Sequence, residues 1–196
     1  MLMDEKYREI LEAFRNPTKM KIITLLVNNN KMTVTGMSKY IKTTRSNLYQ
    51  VVSTLVSNGI INEPEIRPKK NYVEKYYSLN TDYFAFHDEN IDDEIEGLPD
   101  IEYRETLSSF FMAQSLNLEI IAKFIETMTQ KEIQNMRKHE KYTVFSYGTC
   151  SNSVFEKLST AIKEELKKSV DDSGNEGMFL FLMLPSLFPD TLNRKQ

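Results

Sequence analysis

Apolar residues recur along the chain first at helical spacing and then in alternation, and the change of period marks out its parts. Tyr7, Ile10, Leu11 and Phe14 are spaced 3-1-3, which puts them on one face of a helix over residues 4–14. Asn16-Pro17 reads as an N-cap followed by proline at the first helical position, where its missing N–H is not needed. The helix it opens runs to about Val27, with Met20, Ile23 and Val27 on one stripe widened by Ile22, Leu25 and Leu26. Asn28-Asn29-Asn30 closes it, since asparagine tolerates the left-handed cap conformation. Thr33 then caps a short helix carrying Val34, Met37, Tyr40 and Ile41, with Gly36 a weak point. Thr43-Thr44 opens a further helix that runs to Asn58 and stops at Gly59. Its apolar stripe is Leu48, Val51, Val52, Leu55 and Val56, and its polar face holds Arg45, Ser46, Asn47, Tyr49, Gln50, Ser53 and Thr54.

After Gly59 the period shortens. Ile60-Ile61 and residues 72–79 predict two strands around a basic connection at 63–71 with prolines at 64 and 68. Residues 81–100 predict an acidic linker, its start tacked down by Tyr83, Phe84 and Phe86. From Ile101 to about residue 139 the pattern predicts one long helix. Leu107, Phe111, Gln114, Leu118, Ile121, Ile125 and Met128 follow each other 4-3-4-3-4-3, a heptad seam for dimerisation, with Phe110, Ala113, Ile120 and Phe124 beside it. The tail reads strand (142–147), helix capped by Ser153 and Glu156, then strand (178–184).

Charge alters what this layout implies. The net charge of −3 seems to argue against nucleic acid, yet it is a cancellation. Residues 1–80 hold 13 basic and 7 acidic groups, a net of +6, while residues 81–100 hold 8 acidic groups and no basic one. The one cysteine, Cys150, excludes an internal disulfide framework, and its expected role is that of a buried small hydrophobe. No apolar run nears the roughly 18 residues of a membrane span, and Met1-Leu2-Met3-Asp4 does not open a signal peptide, so a cytoplasmic location is expected.

Catalysis finds no support. His87 and His139 sit in no recognisable constellation, and glycine-rich phosphate loops, nucleophile elbows and His-x-x-x-His pairs are absent from the sequence. The expectation is a non-enzyme with no metal and no cofactor. Residues 88–94 are acidic but lack calcium-loop spacing, and they read as a solvated linker.

Nucleic-acid binding fits better. Residues 33–59 give helix, turn, helix, and in that motif the second helix enters the major groove. Lys42, Thr44, Arg45, Ser46, Asn47, Tyr49 and Gln50 are the candidate contacts there, with Arg45, Asn47 and Gln50 able to read bases. Arg67, Lys69, Lys70 and Tyr72 at the hairpin suit backbone or minor-groove contact.

The stretch Met37-Ser38-Lys39-Tyr40-Ile41-Lys42-Thr43-Thr44-Arg45-Ser46-Asn47-Leu48-Tyr49-Gln50, running on to Gly59-Ile60-Ile61, resembles the helix-turn-helix core of the ArsR-like winged-helix regulators. Asn16-Pro17-Thr18-Lys19-Met20-Lys21-Ile22-Ile23 is similar to that family's first core helix, and Lys75-Tyr76-Tyr77-Ser78-Leu79 to the return strand of its wing. The resemblance covers about residues 7–80 and implies a homodimer that binds operator DNA and represses or activates transcription. Metal-sensing members carry Cys or His on the helix before the recognition helix. Residues 33–42 have neither, so metal sensing by that site is not implied. Residues 101–196 are similar in outline to the longer archaeal-type members.

The expected fold is mainly α with small β: a winged helix-turn-helix over 1–80, an acidic linker over 81–100, and over 101–196 a long dimerisation helix with a small βαβ tail. The expected partners are double-stranded DNA and a second copy of the chain, with no membrane, and any small-molecule effector is left open. The alternative reading is a winged-helix protein-interaction module without specific DNA readout.

Overall fold

A computed structural model describes residues 5–81, 95–138 and 151–168. The described elements run α1 (Glu5–Arg15), α2 (Pro17–Asn29), α3 (Val34–Met37), α4 (Arg45–Ser57), β1 (Glu65–Pro68), β2 (Val73–Tyr76), α5 (Asp100–Thr127), α6 (Gln130–Lys138) and α7 (Asn152–Lys168). The fold is mainly helical with a small antiparallel sheet of two strands. The chain separates into two compact units, 1–130 and 131–196.

In the first unit α2 is the central helix. Five consecutive residues, Ile22 to Leu26, are buried, so it is covered nearly all round through its middle. Its start is fixed by Asn16, whose Oδ1 accepts from the Thr18 and Lys19 N–H groups at 3.0 and 3.1 Å. The core around it takes Ile10 and Ala13 from α1, Val34 and Met37 from α3, and Leu48, Val52 and Leu55 from α4. Ile60, Ile61, Tyr77 and Leu116 close it. Val27, expected on the buried stripe, is 61% exposed instead. The helix lasts one half-turn beyond the expected end, and Asn30 takes the positive φ of 53° that the asparagine run anticipates.

The helix-turn-helix forms as expected. Thr33 Oγ1 accepts from the Gly36 N–H at 3.0 Å and Thr44 Oγ1 from the Asn47 N–H at 3.2 Å. The first of the two helices is only four residues long, and Tyr40 and Ile41 lie beyond its end. Gly59 ends α4 at φ 71°, a conformation that favours glycine.

The hairpin departs from the expected strands. Ile60-Ile61 does not open the first one; Ile61 makes an isolated bridge with Leu79, and β1 begins at Glu65, inside the stretch expected to be a connection. The register pairs Glu65 with Tyr76, Ile66 with Lys75, Arg67 with Glu74 and Pro68 with Val73. Pro68 is tolerated because it ends a strand that has β2 as its partner on one side only. Met32 bridges Tyr77 and ties the hairpin to the end of α2.

The long helix is shorter than expected. It stops at Thr127 because Met128 turns extended, with ψ 134°, and a new helix starts at Gln130. Thr129 and Glu132 have the spacing of a capping box, the signal that marks this restart. At 1.5 Å per residue α5 is about 42 Å long rather than 58 Å.

The face by which α5 packs on α1 and α2 is not the apolar seam. It is the stripe Thr106, Ser109, Ala113, Leu116 and Asn117, all buried. Ser109 Oγ donates to the Arg15 carbonyl at 2.6 Å, Asn28 Nδ2 donates to Asn117 Oδ1 at 2.7 Å, and Arg15 pairs with Glu102 at 2.7 Å.

In the second unit, α7 is capped one residue before its start. The Val154 N–H faces Ser151 Oγ at 3.4 Å, so Ser153, expected as the cap, lies inside the first turn. The expected strands 142–147 and 178–184, and with them the βαβ tail, lie outside the described residues. So do residues 82–94, His87, His139 and Cys150.

Candidate nucleic-acid interface

The helix α4 has one side in the core and one side in solvent. Leu48, Val52 and Leu55 are at most 1% exposed, which fixes the rotation of the helix. That rotation turns Arg45, Ser46, Tyr49, Gln50, Ser53 and Thr54 outward, all of them exposed. Thr44 is also exposed, and its hydroxyl oxygen already caps the helix. Asn47 is half-buried and its Nδ2 donates to Thr43 Oγ1 at 3.0 Å, so it is held against the helix start rather than standing free. Lys42 is exposed; its charge helps hold the Glu119 carboxyl of α5 below the usual range, behind the larger effect of the Glu119–Lys123 hydrogen bond.

The wing is less basic than its sequence implies. Residues two apart on a strand share a face, so Glu65 and Arg67 sit side by side with Glu74 and Tyr76 opposite them. Glu65 Oε1 accepts from Arg67 Nε at 2.7 Å and its Oε2 from Lys31 Nζ at 2.6 Å. The Arg67 guanidinium stands 4.5 Å over the Tyr76 ring. Glu74 accepts from the Tyr76 hydroxyl at 2.9 Å and from the Tyr72 hydroxyl at 3.4 Å, and Lys69 approaches it at 3.8 Å. The Arg67 guanidinium, and then Lys31, hold the Glu65 carboxyl down to about 2, and Glu65 raises Arg67 in return. Hydrogen bonding to Glu74 raises the Tyr76 hydroxyl.

Of the expected wing cations, then, Arg67 and Lys69 are each engaged by a carboxylate, while Lys70 at the tip is exposed. The other wing face carries Ile66 and Val73, 62% and 56% exposed, with Lys75 paired opposite Ile66.

A groove of about 640 Å³ separates the wing from the helix pair. Tyr49 of α4 and Lys39 line one side, Tyr72, Glu74 and Lys75 the other, and Thr33, Thr35 and Tyr77 also contribute. The structure thus brings Tyr49 and Tyr72, remote in sequence, to one surface. Lys39, Glu74 and Lys75 line it and were not anticipated, and neither was the pairing of Lys31 and Glu65 beside Arg67. The signal for the two acids was present: Glu65 lies two residues from Arg67, and Glu74 falls opposite Arg67 once the hairpin is in register.

The heptad seam is a separate surface on α5. Leu107, Leu118 and Ile125 are 37%, 50% and 45% exposed, and Phe111, Gln114, Ile121 and Met128 are half-buried. Gln114 Oε1 is shut off from solvent with no hydrogen-bond partner among the described residues.

No family model and no curated protein matches the chain. Among solved structures, HlyU from Vibrio cholerae overlaps with a TM-score of 0.35 at 22% identity, covering 48% of this chain and 96% of HlyU. A possible transcriptional regulator for arsenical resistance overlaps at 0.32 with 20% identity, covering 46% of this chain and 96% of that one. Bacillus subtilis PadR, solved in complex with operator DNA, overlaps at 0.32 with 13% identity, covering 76% of this chain and 91% of PadR. The winged helix-turn-helix is assigned on the chain's own α3–turn–α4 pair and hairpin. Among the described residues no helix is long and apolar enough to cross a membrane, and no group of three His, Cys, Asp or Glu is placed to hold a metal ion.

Proposed function

We propose that the chain is a sequence-specific DNA-binding transcriptional regulator that acts as a homodimer on a pseudo-palindromic operator. The observation that carries this reading is the outward face of α4. Its core-facing residues leave it no rotational choice, and Arg45, Ser46, Tyr49 and Gln50 are held exposed beside a hairpin. All four can hydrogen-bond a base edge or a phosphate, and no carboxylate interrupts them between Lys42 and Asn62. In this reading Arg45 and Gln50 read bases in the major groove. Asn47, tied to Thr43, acts through its remaining amide hydrogen and oxygen, and Thr44 offers its hydroxyl to a phosphate. Lys42, Lys70 and Tyr72 supply backbone contacts, joined by Arg67 and Lys69 when they leave their carboxylates.

The homodimer is supported by the seam on α5. The side of α5 that packs on α1 and α2 is a different stripe, so the seam is left for a partner. Strict 4-3 spacing over three repeats suits pairing with an identical helix. Two-fold symmetry would then present two recognition helices to successive major grooves, about 34 Å apart.

Selection of bound duplexes from a random pool tests the proposal. Enrichment of a two-fold symmetric motif is the expected result; retention of all duplexes alike, with no enriched motif, would overturn it. A protein-interaction module is the second reading, favoured by the exposed Ile66, Tyr72 and Val73 of the wing. That reading requires duplex binding to be absent or sequence-blind.

A further inference from the structure

We propose that Glu65 is a built-in competitor for DNA phosphate, one that sets the affinity of the wing by occupying Arg67 and Lys31. The inference rests on the DNA-binding reading above and deepens it. Glu65 reaches its two cations with separate oxygens, Oε1 to Arg67 at 2.7 Å and Oε2 to Lys31 at 2.6 Å. The two cations come from different elements, Arg67 from β1 and Lys31 from the segment after α2, so the carboxylate also spans the joint between wing and helical core. Arg67 is further held by Tyr76, whose ring lies 4.5 Å beneath its guanidinium.

A phosphate oxygen asks for the same donors in the same geometry. Glu65 takes the Nε edge of Arg67, so DNA gains that bidentate edge only by exchange, and a phosphate on the remaining guanidinium N–H groups still meets the carboxylate's charge. The exchange is feasible because the group is on the surface: Arg67 and Lys31 side chains are each 50% exposed and Glu65 is 42% exposed, and exposed pairs of this kind are weak. The carboxylate does not withdraw by taking up a proton, since its two cations keep it ionised down to about pH 2.

The group of three carries one net positive charge. Without Glu65's charge it would carry two. Each phosphate neutralised contributes about 0.9 to the slope of log affinity against log salt, so removing the competitor should steepen that slope by about one. Over a fourfold change in salt this amounts to a difference of about 3.5-fold in affinity.

The test compares the full chain with Glu65→Gln, with Glu63→Gln as a neighbouring acid outside the cluster, and with Glu65→Gln combined with Lys31→Gln and Arg67→Gln. The probe is a random-sequence 30-base-pair duplex, titrated at several salt concentrations, with heparin as a second polyanion. Glu65→Gln should bind several-fold tighter with the steeper slope, Glu63→Gln should change less, and the gain should vanish without Lys31 and Arg67. Equal gains from Glu65→Gln and Glu63→Gln would reduce the effect to bulk charge and overturn the proposal. So would a weaker-binding Glu65→Gln, which would make the carboxylate a brace for the wing. An NMR titration of Glu65 reads the cluster without DNA. A low midpoint that returns toward 4.5 in Lys31→Gln/Arg67→Gln, with no duplex bound by any variant, would sink the DNA-binding reading while leaving the cluster intact.

Discussion

Two substitutions three residues apart on α4 should have opposite consequences. Leu48 is 0% exposed and packs in the core cluster, whereas Arg45 stands in solvent at the start of the same helix. Leu48→Ala removes a fully buried isobutyl group. The lost transfer energy and the residual cavity together cost about 3 kcal/mol, inside the range of 2–5 for such changes. A domain of this size has a total stability of about 5–15 kcal/mol, so the variant stays folded at 25 °C but melts about 10 °C lower. If about 5 kcal/mol remains, well over 99% of molecules are folded and duplex affinity falls less than twofold. Arg45→Ala should do the reverse. An exposed substitution leaves stability within about 0.5 kcal/mol, while losing a base contact costs about 1–3 kcal/mol of binding. Circular dichroism melts and fluorescence anisotropy with a selected duplex measure the two quantities separately. The reasoning fails if Leu48→Ala melts with the parent, or if Arg45→Ala loses stability without losing affinity.

Three further outcomes are expected. Glu65, held near 2 instead of its ordinary 4.5, is deprotonated in the folded wing where the unfolded chain would protonate. Its contribution to stability is therefore present above pH 4.5 and lost as pH falls through about 2, and the carboxyl carbon shift of Glu65 should titrate in the lower range; a midpoint at 4.5 would show that the bridge to Lys31 and Arg67 does not form. Leu118→Glu, at a seam position 50% exposed in the single chain, should turn a dimer into a folded monomer by sedimentation, with an unchanged melt by circular dichroism at low concentration. Asn16→Ala frees the two N–H groups that Asn16 Oδ1 now satisfies and should destabilise the first unit by about 1 kcal/mol in urea denaturation.

Most of the helical framework was legible because its signals are local. Asn16-Pro17, Thr33, Thr44 and Gly59 each act within four residues, and each does in the structure what its chemistry predicts. The hairpin was less legible. Its strands are four residues long and largely exposed, so no alternation of apolar and polar residues marks their ends. The break falls at Met128, the last position of the seam, and the capping-box spacing of Thr129 and Glu132 was the signal for it. The site was half legible. The exposed face of α4 follows from one helical period, but the charge state of the wing depends on register. Counting its cations overlooked Glu65 and Glu74, which only the β1–β2 pairing sets among them.

The same dependence on geometry explains how α5 can serve two roles. A helix that met the winged domain through large apolar residues would spend its only apolar stripe there. Here the packing stripe is mostly small and polar, with Leu116 its one large apolar residue and Ile120 packed against the core beside it, and direct bonds anchor it: Glu102 to Arg15, Ser109 to the Arg15 carbonyl, and Asn117 to Asn28. These anchors span residues 102–117, about four turns, so α5 is fixed to α1 and α2 over its first four turns rather than at a point. The seam, displaced around the helix, stays available. In the proposed dimer the partner would therefore grip the same rigid rod that holds the helical core of each winged domain. The separation of the two recognition helices would then be set by residues of α5 that never approach DNA. Replacing Asn117 by alanine tests this coupling: it leaves both the seam and the α4 face untouched, yet should blur the preferred spacing between selected half-sites. If spacing stays as sharp as in the parent while the dimer persists, the rod is not what sets it.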